Sequence, residues 1–346
     1  MFEEIEQRFR KIAPLVDFCS LRVVRERSER LYIRQGVVQP LQLLDDFGAM
    51  ITVMDAGGLG YAATSDLSMS GLKTAAERAV EWARRSAGRM LFDPSKLAMP
   101  APSGAFQEQA ARPWNQTSLR DKIELAMDLS AQLNTADEIV DWDVLLWGKE
   151  REQLYLTTDG ARVTQAFPIL IPGMSVTANA GSETVRRCFG GFDLGRQGGL
   201  EMLDQVRFTE QAEVLTREAL ELLRAPNCPT GTMDLLLDSD QMYLQLHESI
   251  GHPLEMDRIL GDERNYAGTS FVSLDMLGSY QYGSKLLNVT FDPTVSGEFA
   301  SYSFDDDGAL AERQFLIKDG ILERLLGGTI SQARSGMPGV SNSRAC

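Results

Sequence analysis

Apolar residues recur at helical spacing in several stretches of the chain. Phe2, Ile5, Phe9 and Ile12 predict a helix over 2–13. Leu72, Ala75, Ala76, Ala79, Val80 and Ala83 share one face of a helix over 70–87. Further helices are predicted from Ser118 to about Leu133 and over about 209–224, the latter ending before Pro226. Between them the period shortens to two. Residues 18–35 alternate on both sides of a polar centre and predict two strands joined by a turn. A hairpin is predicted around Asp55-Ala56-Gly57-Gly58, and a strand-rich block over 139–190 turns at Asp159-Gly160. Residues 93–116, rich in Pro, Ala and Ser, predict a long extended connection.

Asn227–Gly231 marks a domain boundary. The following MDLLLD, residues 233–238, reads as a buried strand. Asp238 with Gln241 forms a variant capping box that starts a helix at about Ser239. Residues 262–308 read as loops and short strands, and 313–327 as a hairpin turning at Asp319-Gly320. The expected fold class is α/β of the α+β type. A mixed N-terminal domain spans 1–226. A β-rich C-terminal domain, 227–346, carries the helix that begins near Ser239.

Composition narrows the function. The length of 346 residues agrees with two domains. A net charge of −15 argues against direct binding to nucleic-acid backbones. No run of about 18 apolar residues predicts a membrane span, and the charged N-terminus lacks the apolar core of a signal peptide. Cys19, Cys188, Cys228 and Cys346 are widely spaced, with no CxxC, which suits a reducing cytoplasm. The first three read as small buried residues.

The chain has two histidines, both in the string His247-Glu248-Ser249-Ile250-Gly251-His252. A metal hydrolase needs neutral nitrogen or sulfur ligands and a general base. HExxH supplies two ligands and a base from one helix face. Here the spacing is HExxxH, and on a regular helix i and i+5 lie about 140° apart. Gly251 permits an irregular backbone, and Pro253 ends or kinks a helix and restricts His252. A single π-type turn would absorb the extra residue. Either device swings His252 towards the face of His247.

Other candidates carry less. Gly57-Gly58-Leu59-Gly60 is not GxGxxG and reads as a turn. Asp305-Asp306-Asp307-Gly308 lacks the ligand spacing of an EF-hand and reads as a solvated acidic turn. Glu255 is either a third metal ligand or a surface carboxylate. With both histidines in one string, no Ser/His/Asp triad is predicted.

The string HESIGHPL at 247–254, continuing through Glu255 to Arg258, resembles the HExxxH region of the TldD/PmbA metallopeptidases, also described as modulators of DNA gyrase. GTSF at 268–271 and the segments 289–322, 53–68 and 154–163 are similar to that family as well. The resemblance implies a two-domain α/β protein that forms a homodimer or pairs with a related chain. It implies a zinc site of two histidines and a cysteine, with His247 and His252 as ligands and Glu248 as general base. It implies cleavage of unfolded or small peptides in an enclosed cleft. The family's cysteine ligand lies farther downstream than residue 346, and Cys346 does not correspond to it. An incomplete C-terminal domain and weak activity are therefore expected. The alternative is a catalytically incomplete member acting as a partner-binding subunit or remnant.

Overall fold

A computed structural model describes residues 1–344; Cys346 lies outside the described residues. The first sheet has nine strands: β1 Phe18–Arg34, β2 Val37–Val38, β3 Gln42–Asp55, β4 Gly58–Thr64, β5 Ser103–Gln107, β6 Ile139–Thr157, β7 Arg162–Ala180, β8 Glu183–Gly190 and β9 Arg196–Gln197. Its central order is β4-β3-β1-β6-β7-β5, antiparallel except for the parallel pair β5–β7. The predicted turn inside 18–35 is absent, because β1 is one unbroken strand. It pairs from Phe18↔Met54 to Arg30↔Gln42 on one side and from Ser20↔Thr157 to Arg34↔Asp143 on the other. Its polar centre meets opposite charge across the strands. Lys149 lies 3.0 Å from Glu26, and Arg27 lies 2.9 Å from Glu150.

Helices cover one face of the sheet. α1 Phe2–Ile12 and α2 Met69–Ser86 bury Ile5, Phe9, Leu72 and Ala79 against Leu21, Val23, Ile51 and Leu156. α3 Leu119–Leu133, the short α4 Glu201–Gln205 and α5 Gln211–Leu222 cover Leu31, Ile33, Val144 and Leu146 at the other end. Ser68 and Ser118 cap α2 and α3 by accepting the N–H of Gly71 and Asp121. The β3–β4 turn has Ala56 and Gly57 at φ 50° and 76°, the left-handed pair of a tight hairpin. Gly60 serves packing instead, since a Cβ there would lie 2.3 Å from the Ala79 carbonyl oxygen of α2.

The C-terminal lobe carries α6 Ser239–Leu246, α7 Met256–Leu260, α8 Thr329–Ser335 and five short strands. β10 Val289–Phe291, β11 Gln314–Lys318 and β12 Ile321–Leu322 form one sheet, and β13 Leu325–Leu326 pairs with β14 Gly339–Val340. The β11–β12 turn falls at Asp319-Gly320, both with positive φ. Residues 233–238 are not the buried strand expected. They form no strand, and Leu236 is 97% exposed. An extended apolar run becomes a strand only where a neighbouring edge completes its ladder, and no described strand pairs with this one.

The lobe docks on the helix-free face of the first sheet. Tyr302 and Ala311 pack on Phe167, Ile169 and Ile171. The buried Gln165 amide donates to the Phe304 carbonyl at 2.8 Å and accepts the N–H groups of Ser303 and Phe304. Among the described residues no helix is long and apolar enough to cross a membrane.

Candidate metal centre

The Asp238 carboxylate caps α6 by accepting the Ser239 N–H at 2.7 Å. The helix then widens. His247–Gly251 is a π-turn and His252–Leu254 a 3-10 turn that contains Pro253. The N–H of His252 donates to the carbonyl of His247, so the two histidines are the ends of one i→i+5 bond. The additional residue in HExxxH is the one that a π-turn accommodates. As a result the imidazole centroids stand 4.4 Å apart, with the rings inclined at 72°. Ile250, inside the turn, is buried with Leu254 and Met256 in the lobe's core. The Tyr282 hydroxyl donates to the Ser249 carbonyl.

One ligand atom from each of His247, Glu248 and His252 falls in a group no wider than 4.8 Å. His247 and Glu248 are open to solvent and His252 is half-buried. The two imidazoles are donors that suit a borderline divalent cation such as zinc, and the Glu248 carboxylate stands beside them. Glu255 is neither fully exposed nor free. Its Oε1 lies 3.0 Å from His252 Nδ1 and its Oε2 accepts Arg258 Nε at 2.9 Å. Arg258 also donates to the Ala267 carbonyl and pairs with Glu263. Glu255, Asp257 and Glu263 bring a second set of carboxylates together, but the Arg258 guanidinium already pairs with two of them.

The remaining candidates lie elsewhere. Cys19 is buried on β1, and burial pushes its thiol up to about 12. Cys188 and Cys228 are exposed rather than buried. Asp305 is buried instead of solvated. Sequence reasoning gave no role to Arg258 or Tyr282. The spacing Glu255 to Arg258 is an i,i+3 signal that could have flagged the first. Nothing local flags Tyr282, which is 33 residues from the carbonyl it contacts.

Family models for the PmbA/TldA metallopeptidases match in three parts: domain 1 over 19–83, the central domain over 112–225 and the C-terminal domain over 230–345. The chain belongs to the PmbA/TldD metallopeptidase family. The first two of those parts share the nine-stranded sheet, and the third holds the paired histidines. A metalloprotease of Methanothermobacter thermautotrophicus is 26% identical over 95% of this chain and 68% of its own length. A TldD homologue of Haemophilus influenzae is 24% identical over 95% of this chain and 67% of its own. Two solved structures share the fold. A protein of Thermotoga maritima described as a modulator of a DNA gyrase superposes with a TM-score of 0.76 at 16% identity, covering 100% of this chain and 75% of that one. TldE of Thermococcus kodakarensis superposes at 0.70 and 14% identity, covering 99% and 73%.

Proposed function

We propose that this family member is a cytoplasmic, zinc-dependent peptidase acting on unfolded or small peptides, as a homodimer or beside a related chain. The observation that carries the reading is the π-turn, which closes the i,i+5 gap and sets two imidazoles and a carboxylate around one point. His247 and His252 would hold the metal. A zinc ion there would polarise a carbonyl and lower the pKa of water to about 7. Glu248, exposed beside His247, takes a proton from the attacking water and hands it to the departing amine. His247 and Glu248 are open to solvent, so a peptide can approach them.

The experiment is zinc content of the purified chain beside His247→Ala, followed by cleavage of an unfolded peptide library with added zinc. His247→Ala should lose the metal. Glu248→Gln should keep it and lower the cleavage rate about 10²–10⁴-fold. Equal zinc uptake without His247, or cleavage indifferent to Glu248, overturns the assignment.

A further inference from the structure

His252 has two ring nitrogens, and a metal can use only a bare one. Nδ1 is already occupied. It lies 3.0 Å from Glu255 Oε1 and 3.2 Å from Arg258 Nη2. These neighbours ask for opposite things, because the carboxylate accepts and the guanidinium only donates. Two of the Arg258 nitrogens have acceptors elsewhere, Nε on Glu255 Oε2 at 2.9 Å and Nη1 on the Ala267 carbonyl at 2.8 Å, and Nη2 stands 3.1 Å from Glu263 in an ion pair. A bare Nδ1 would set its lone pair against that of Glu255 Oε1 across 3.0 Å. A protonated Nδ1 turns the same contact into a charge-assisted hydrogen bond.

We propose that Glu255, braced by Arg258, is a positioning residue that holds His252 in its Nδ1–H tautomer and leaves Nε2 bare. The inference rests on the zinc reading for its purpose but not for its geometry. The brace is well built. The Arg258 side chain is 12% exposed, and through Ala267 and Glu263 it ties the 263–267 segment to the ring. With the tautomer and ring orientation already set, His252 would reach a metal without first reorganising. His247 differs, since its Nε2 lies 4.0 Å from Glu248 Oε1, beyond hydrogen-bond length.

The chain's two histidines make the test direct. Imidazole ¹⁵N spectra of the metal-free protein, at about pH 8.5 and so well above the ordinary imidazole range, contain two ring systems. His247→Gln assigns them. His252 should show a protonated Nδ1 and a bare Nε2. Glu255→Gln retains an acceptor oxygen and should keep that tautomer, whereas Glu255→Ala should return a mixture. Competition with a chelator should show zinc affinity down about 10–100-fold in Glu255→Ala, with Glu255→Gln in between. A protonated Nε2 on His252 in the unaltered chain overturns the proposal, whether or not zinc binds. Zinc affinity unchanged in Glu255→Ala overturns it too. The Nδ1–H tautomer without any zinc uptake upholds the positioning role and defeats the peptidase reading instead.

Discussion

The Asp305 carboxylate shows how far one residue can depart from its local composition. It opens an acidic turn, yet it is 3% exposed. Its Oδ1 accepts the N–H groups of Asp307 and Ala309, and Oδ2 accepts that of Ser343. Burial first, and the neighbouring Asp307 charge second, push its pKa up to about 7 despite those bonds. An unfolded aspartate titrates near about 4. A carboxyl whose pKa rises on folding stabilises most where it is protonated in both states, and that contribution is lost as pH climbs through the folded value. Stability should therefore fall between about pH 4 and 7 from this group. Asp305→Asn cannot ionise, so its stability should decline less over that window. Urea unfolding across a pH series checks this, and parallel curves for the two proteins would refute it.

At the scale of the element, the π-turn is the feature on which the centre depends. Widening the helix by one residue joins His252 to His247, and it needs support from outside the helix. Ile250 anchors it in the core, and Tyr282 bonds the Ser249 carbonyl. Burial raises the Tyr282 phenol to about 12, so it remains a donor at neutral pH. Tyr282→Phe should cost about 0.5–1.5 kcal/mol. Hydrogen exchange at the His252 amide, whose bond closes the turn, should quicken more than exchange in α2. Uniform or unchanged exchange would mean that the tyrosine does not hold the turn.

At the scale of the molecule, the lobes meet through a few directed contacts on an apolar patch. Gln165 is the central one, with three hydrogen bonds to the backbone of Ser303 and Phe304. The Arg344 guanidinium lies 4.4 Å from the Phe167 ring centre and 5.0 Å from that of Tyr302, spanning both lobes. Gln165→Leu keeps the bulk but strands buried polar groups, at about 1–3 kcal/mol for each left unpaired. Limited proteolysis within 290–311 should accelerate and thermal stability should drop, while the helix-covered face stays protected. A variant as resistant as the parent would show that Gln165 is not needed to hold the lobes together.

What the sequence determined by itself was local. The helices over 2–13, 70–87 and 118–133 follow from apolar spacing, with Ser68 and Ser118 capping the last two. The turns at Asp55–Gly58, Asp159-Gly160 and Asp319-Gly320 follow from their glycines, of which Gly57, Gly160 and Gly320 sit at positive φ. The histidine spacing next to Gly251 and Pro253 called for an irregular helix if the two rings were to share a site, because a regular one would point them apart. Other features depended on distant partners, and the tertiary structure alone decided them. β1 runs unbroken through its charged centre because β3 and β6 offer matching registers on both sides. Residues 233–238, an apolar run between aspartates, stay irregular for want of such an edge. The buried carboxylate of Asp305 accepts a backbone N–H from Ser343, 38 residues away. Likewise, the support that Tyr282 gives the π-turn lies beyond any pattern a helix period can reveal. Local propensity acts over a few residues, whereas a ladder, a buried charge and a braced turn each require a partner that only the folded chain brings near.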